Sequence, residues 1–300
     1  MSTETNQPRS GHVALLGRPN VGKSTLLNAL VGEHLAIVTH KPQTTRHRIL
    51  GVLTESRGQV AFVDTPGLHR RRDHALNRRL NRIAADTRGG VDVIVLVIDA
   101  SRQTDEDSLA LDQVVSFDGP AILAFNKIDL LKDRASLLTL TEQFTSKASF
   151  EAVVFLSAEK GRGLDDLLEE VFRLLPEGEG QYPEDQFTDR SERFLVAELV
   201  REQLMLQLHQ EIPYGLTVLI ERFERQPRRI EIQALIVVAE ERHKGMVIGR
   251  QGQVLKRVGS RARHAAAELL GMPVHLELHV KTRKGWVDDE GSLDELGYAR

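Results

Sequence analysis

The 300-residue chain contains no cysteine, which excludes disulfides, thiolate metal centres and cysteine nucleophiles together. It also lacks any long apolar run. No apolar run exceeds the six residues of Val93–Ile98, far short of the roughly 20 residues that a membrane-spanning helix needs. The first ten residues, MSTETNQPRS, have no apolar core of the kind a secretory signal carries. A cytoplasmic location is therefore the expectation. Neither charge sign dominates: 40 Lys and Arg face 43 Asp and Glu, for a net charge of −3. With 41% hydrophobic and 28% charged residues, the chain has the composition of globular protein, in one large or two ordinary domains.

The near-neutral total hides an asymmetry. Between Glu221 and Gly285 there are 14 Lys and Arg against 7 Asp and Glu, a local charge of +7 that leaves −10 for the remainder. A basic C-terminal unit on an otherwise acidic chain suits a polyanionic partner, though a solvated charged surface gives the same count.

The most informative stretch is Gly17, Arg18, Pro19, Asn20, Val21, Gly22, Lys23, Ser24 and Thr25. It reads G-x-x-x-x-G-K-S-T, the phosphate-binding loop of P-loop nucleotide hydrolases. Backbone N–H groups can surround a phosphate only if the chain curls tightly, and glycines permit that curl. Lys23 is placed to reach the β- and γ-phosphates and Ser24 to ligate Mg²⁺, with the positive end of a following helix aimed at the anion. A chance match in a chain of this composition has odds on the order of one per cent. His12–Leu16 reads as a buried strand and Thr25–Val31 as helix, the context such a loop requires.

Later segments add to it in order. Lys41–Arg46, KPQTTR, is a polar loop whose threonine can complete the Mg²⁺ shell. Ile49–Leu53 and Gln59–Val63 read as strands joined by a turn, the second ending in Asp64, Thr65, Pro66 and Gly67. By itself DTPG is a good β-turn. About forty residues beyond a P-loop it reads as the second switch, with Asp64 holding the Mg²⁺ shell and Gly67 free to present its N–H to the γ-phosphate. Residues 69–88 read as a basic helix and Val91–Ala100 as a strand buried on both faces. Ala121–Phe125 is another, running into Asn126, Lys127, Ile128 and Asp129. In this N-K-x-D, Asp129 is placed to accept from the N1–H and exocyclic amine of guanine, a donor pair that adenine lacks. Asn126 would meet the opposite edge and the Lys127 stem the face of the base. After strand Val153–Leu156, Ser157 and Ala158 offer a backbone N–H for the guanine oxygen. Strands alternating with helices imply a doubly wound parallel α/β sheet with its ligand at the carboxyl ends of the strands.

The second half reads differently. Residues 177–191 are acidic, contain proline and glycine, and lack apolar periodicity, as linkers do. A helix over Arg193–Leu208 is followed by strands near Leu216–Arg222 and Ile230–Ala239, a long helix over Gln253–Leu270 and a strand over Pro273–Lys281. Before the long helix lie Ile248, Gly249, Arg250, Gln251 and Gly252, a G-x-x-G loop like that of KH domains. Two glycines let two helices meet at a turn tight enough for a nucleic-acid backbone to lie against it. Arg250, Lys256 and Arg257 supply charge. A lone G-x-x-G is weak evidence; the element order and the local charge make it specific.

GRPNVGKST, KPQTTRHRI, DTPGLH, NKID, IPYGLTVLIERF, MVIGRQG, PVHLELHVK and GWVDDE followed by LGY together resemble the Era family, from Gly11 to Tyr298. The resemblance implies a tail over 1–10, a Ras-like GTPase domain over 11–176, a linker over 177–191 and a smaller α+β type II KH domain over 192–300. It implies GTP, GDP and Mg²⁺ as ligands, with Lys23, Thr45 and Gly67 acting in hydrolysis and Ser24, Thr45 and Asp64 at the metal. The switch threonine maps to Thr45 or, one residue earlier, Thr44. The family also implies binding to single-stranded RNA near the 3′ end of small-subunit (16S) ribosomal RNA, a role in 30S subunit maturation, and peripheral association with the inner membrane. A monomer is the expected form.

Two details bear on mechanism. Ras-like enzymes orient water with a glutamine directly after the DxxG, where this chain has Leu68, so slow turnover is expected. Asn20 resembles the residue that accompanies potassium stimulation in related GTPases, which adds K⁺ as a candidate cofactor. The competing readings are an RNA-binding scaffold with a structural nucleotide site and an ATP-using kinase; Asp129 disfavours the second. Asp129→Asn is expected to move nucleotide preference from guanosine towards xanthosine, and retained guanine selectivity in competition binding would refute the base-recognition argument.

Overall fold

The computed structural model describes residues 7–41, 44–67, 75–86, 90–208 and 215–298. They fall into two compact units. The first takes in residues up to Ala36, Thr45–Arg71 and Leu80–Asp189; the second takes in Ile37–Thr44, Arg72–Arg79 and Arg190 onward.

In the first unit, strands β1 (Arg9–Leu16), β2 (Ile49–Glu55), β3 (Gly58–Asp64), β4 (Val93–Asp99), β5 (Ala121–Asn126) and β6 (Ala152–Phe155) form one sheet in the order β2-β3-β1-β4-β5-β6. Only β2 runs antiparallel to its neighbour. The unbroken apolar run of β4 is explained by its position, since every residue in it is buried. Alternation divides it: Val93, Val95 and Val97 join one core with helices α1 (Lys23–Val31) and α5 (Leu164–Leu174). Ile94, Leu96 and Ile98 join the other with α3 (Asp107–Val115) and α4 (Ser136–Thr145). This is the doubly wound arrangement expected, and the register sets Leu15 beside Asp64 and Asp99 beside Asn126, so the loops that follow emerge side by side.

The stretch expected as a tail already contributes Arg9 and Ser10 to β1. The stretch expected as a linker runs along the outer strands. Gln59 exchanges two hydrogen bonds with the Tyr182 backbone, Val52 N–H donates to the Phe187 carbonyl, and the Thr188 hydroxyl donates to the Leu50 carbonyl. An edge strand leaves a row of backbone donors and acceptors unpaired, and this segment satisfies part of that row.

In the second unit, α6 (Glu192–Gln207) and α8 (Gln253–Leu269) cover one face of a three-stranded sheet, β7 (Leu216–Arg225), β8 (Ile230–Val238) and β9 (Val274–Thr282). β7 pairs antiparallel with β8, and β8 parallel with β9. The Ser191 hydroxyl caps α6 by accepting from the Phe194 N–H, as serine does at helix starts. α7 (Glu241–Ile248) precedes the glycine turn. Beyond β9, Trp286 stacks on Tyr298 at 5.8 Å, and the short helix α9 (Glu290–Glu295) lies between them in the chain.

Helix α2 (Ala75–Asp86) begins in this second unit. Its buried Arg79 donates to the Tyr298 carbonyl and pairs with Asp294 and Glu290. Val38, Lys41 and Thr44 are bound by α6. Val38 N–H donates to Glu202, and the Lys41 ammonium donates to the Met205 and Leu208 carbonyls at the helix end, where carbonyls lack helical partners. Arg201 donates to the Thr44 carbonyl at 2.5 Å and forks onto both oxygens of Glu198 at 2.7 and 2.6 Å. Both charges are almost wholly buried. A buried pair of this kind is costly to break from one side and cheaper to replace whole. Glu198→Ala is expected to cost about 3–5 kcal/mol in denaturant unfolding, and Glu198→Leu with Arg201→Met to recover most of it.

Candidate nucleotide-binding site and nucleic-acid groove

β1 ends at Leu16 and α1 begins at Lys23. The chain between them must turn back on itself over six residues, and it does so with Asn20 at φ 65° and Gly22 at φ 101°. At Gly22 a side chain is excluded outright, because a Cβ would lie 2.3 Å from the Asn126 amide nitrogen. The Lys23 ammonium is folded under the loop, donating to the Gly17 and Arg18 carbonyls at 3.0 Å each. Burial pulls its pKa down to about 8, against the opposing field of Asp64.

Asp64 ends β3, beside Leu15 in the neighbouring strand. Its carboxylate accepts from Ser24 Oγ at 2.6 Å and Thr45 Oγ1 at 3.3 Å, and the two hydroxyls lie 2.8 Å apart. The other oxygen, Oδ1, is buried with no hydrogen-bond partner. Burial raises the Asp64 pKa even though Lys23, Ser24 and Thr45 all favour the carboxylate. Two hydroxyls and a carboxylate with one unused oxygen form an all-oxygen donor set, which suits Mg²⁺. Thr44 is engaged elsewhere, with Thr39 and the Lys41 carbonyl. Of the two candidate threonines, the structure brings Thr45 to Ser24 and Asp64. The Thr65 hydroxyl donates to the Leu15 carbonyl, and Gly67 packs on the Pro19 backbone. Leu68 and residues 69–72 lie outside the described residues.

At the base end, Asn126 ties three loops together. Its amide donates to the Val21 carbonyl, and its oxygen accepts from the Lys127 and Ala158 N–H groups. The side chain expected at the base edge, and the Ala158 N–H expected at the guanine oxygen, are thus spent on each other here. Ser157 caps the turn that carries Ala158 by accepting from Lys160 N–H at 3.4 Å. Lys127 has left-handed backbone, φ 62°, and its ammonium donates to the Asn20 carbonyl at 2.6 Å and to Asp99 at 2.7 Å. Asp129 is half-buried on the following turn. Asp99 carries no motif of its own; its place at the end of an apolar strand was its only signal.

In the second unit, α7 ends at Ile248 and α8 starts at Gln253, with Gly249, Gln251 and Gly252 all at positive φ between them. Gly249 is the sterically constrained position: a Cβ would lie 2.5 Å from Val254 Cγ2, whereas one on Gly252 meets nothing within 4 Å. An open groove of about 540 Å³ runs from Gly252 along Leu255, Lys256, Gly259, Ser260 and Arg263 of α8 to His275, Leu276 and Leu278 of β9. It has an apolar floor, a basic wall and a glycine where a side chain would obstruct it, features that suit stacked bases and a phosphate backbone. Lys256 lines the groove; Arg257, one residue on, is exposed and turned away from it by the helical rotation of about 100° per residue. Arg263 and His275 are the functional candidates that motif reading missed, because strand and helix meet only in the fold.

Comparison with known proteins finds related families, sequences and structures. A family model described as 50S ribosome-binding GTPase matches residues 12–127, and a KH domain model matches residues 211–287. The chain is 49% identical to GTPase Era of Xanthomonas campestris pv. campestris (strain B100) over 296 residues, 99% of each chain. It is 48% identical to GTPase Era of Azotobacter vinelandii (strain DJ / ATCC BAA-1303), again over 99% of each. Among solved structures, an Aquifex aeolicus Era variant bound to GDP.AlF4⁻ aligns with a TM-score of 0.92 at 36% identity, over 97% of this chain and 100% of that one. Era in complex with MgGDPNP and nucleotides 1506–1542 of 16S ribosomal RNA aligns with a TM-score of 0.94 at 36% identity, over 98% and 100%.

Proposed function

The chain belongs to the Era family of GTPases, and from that premise we propose that it is a GTP-hydrolysing switch that binds single-stranded RNA near the 3′ end of small-subunit ribosomal RNA and assists small-subunit maturation in the cytoplasm. One observation carries the enzymatic half: the buried Lys23 and Asp64, with Ser24 and Thr45, converge at the mouth of the phosphate loop. Water attacks the γ-phosphorus in line as the bond to the GDP oxygen breaks, giving GDP and inorganic phosphate. Lys23 leaves the Gly17 and Arg18 carbonyls to neutralise the β- and γ-phosphates. Ser24, Thr45 and Asp64 would hold Mg²⁺, which supplies further charge neutralisation at those oxygens. The N–H of Gly67 meets the γ-phosphate, and Asp129 selects guanine. Position 68, directly after the DxxG, is a leucine with no polar group to orient the water, and intrinsic turnover is slow.

The RNA half rests on the α8–β9 groove. Lys256 and Arg263 suit phosphates, His275 and the leucines suit bases, and the RNA-bound Era structure aligns along this chain. The switch character rests on where the chain passes from one unit to the other, between Thr44 and Thr45 and again between Arg79 and Leu80. The Thr44 carbonyl is held by Arg201, while the Thr45 hydroxyl belongs to the Ser24–Asp64 cluster. Thr45 and the Thr44 carbonyl held by Arg201 are thus separated by one peptide bond.

RNA affinity measured with GDPNP and with GDP, at one fixed salt concentration because phosphate contacts are salt-sensitive, is expected to differ by about fivefold or more. Equal affinities would instead support an RNA-binding scaffold with a structural nucleotide site. Asn20 supports a further proposal, that K⁺ accelerates turnover; equal rates in sodium and potassium buffers would refute it.

A further inference from the structure

Asp99 lies at the carboxyl end of β4, directly beside Asn126 in β5, and no motif includes it. It is buried, and both its oxygens are engaged. Oδ1 accepts from the Ser101 N–H at 3.0 Å and the Ser101 hydroxyl at 2.6 Å. Oδ2 accepts from the Lys127 ammonium at 2.7 Å and lies 3.8 Å from an Arg18 guanidinium nitrogen. Arg18 is buried in turn. It pairs with Asp107 at 3.1 Å, at the start of α3, and donates to the Arg102 and Pro19 carbonyls. Two cations and two carboxylates thus balance in one cluster. Arg18 belongs to the phosphate loop, Lys127 to the base-recognition loop, and Asp99 is the anion that they share.

From this geometry we propose that Asp99 is a positioning residue for guanine-nucleotide binding: it fixes the Lys127 ammonium against the Asn20 carbonyl so that the lysine stem forms the wall on which the base lies. The inference rests on the reading of this loop as the base site. A lysine stem has four rotatable bonds and loses much entropy when ordered. The Asn20 carbonyl alone gives its ammonium one neutral acceptor; Asp99 adds a charged one in a partly desolvated place, where a hydrogen bond is strongest. Burial works against the Asp99 carboxylate, yet the Lys127 and Ser101 hydrogen bonds hold it below the usual aspartate range, so it is anionic at neutral pH. Removing that charge frees the stem and leaves Arg18 and Lys127 without their common anion. The loss falls on contacts that GDP and GTP have in common, so both nucleotides are affected alike.

The test is nucleotide release by stopped flow, with GDP and with GDPNP, in the full chain. Asp99→Asn is expected to release both about tenfold faster, the size of one charge-assisted hydrogen bond. KM for GTP should rise by a similar factor, while kcat at saturation changes by less than about twofold. In a Lys127→Met background, Asp99→Asn should add less than about twofold, because the side chain it positions has gone. Full additivity would mean that Asp99 acts apart from Lys127 and would overturn the proposal, as would unchanged release in the single variant. If Asp99→Asn does not fold, Ser101→Ala, which removes one of the hydrogen bonds holding the Asp99 carboxylate, should raise both rates by about threefold; unchanged rates there would overturn it too. A wild-type chain that binds neither nucleotide would refute the reading of the site itself, whereas normal wild-type binding with an indifferent Asp99→Asn would refute this inference alone.

Discussion

The structure of the first unit depends on two charges, Lys23 and Asp64, held out of water with too few partners. Each is displaced from its ordinary protonation equilibrium by burial. Lys23 makes do with two carbonyls of its own loop, and Asp64 keeps one oxygen without a partner. Such an arrangement costs stability in the free protein, and the parallel sheet holds it in place. β1 and β3 are adjacent and in register, so Leu15 and Asp64 end at the same level. A phosphate and a divalent cation supply what the two groups lack. The site is preorganised in the sense that matters for phosphoryl transfer, where positioning and charge neutralisation do most of the work.

The same logic extends across the sheet. Register puts Asp99 next to Asn126, and these two side chains between them tie the phosphate loop to both base-recognition loops. A doubly wound sheet brings loops from distant parts of the chain to one edge. Polar side chains there cross-link the loops, so that each is shaped by its neighbours and by its own glycines together.

The second unit is organised by different needs. Its sheet has one face covered by α6 and α8, and its groove lies where α8 meets β9. Helix α6 has a second role, visible in its buried charges. Glu198, Arg201 and Glu202 would be anomalous on a helix that served only as a cover. They are explained by two backbone groups: Glu202 accepts from the Val38 N–H, and Arg201, held by Glu198, donates to the Thr44 carbonyl. Buried ion pairs contribute little net stability; here the pair holds the Thr44 carbonyl, one residue before the threonine that meets Ser24 and Asp64.

The sequence alone determined the phosphate loop, the DTPG turn, the NKID loop, the glycine turn and their order. It could do so because each is a contiguous run whose residue types answer directly to an anion, a base edge or a positive φ. The strands and helices that carry them were legible for the same local reason: alternation and apolar runs record burial one element at a time. Only the tertiary structure decided which threonine joins Ser24 and Asp64, that Asp99 holds Lys127, that Arg263 and His275 share a groove, that residues 177–189 complete a sheet edge, and why Arg201 is buried. Those facts depend on pairs such as Asn126 with Val21, 105 residues apart, and Arg201 with Thr44, 157 apart. Many of these pairs are made between a side chain and a backbone group, which every residue possesses, so neither partner's identity announces the other until the chain has folded.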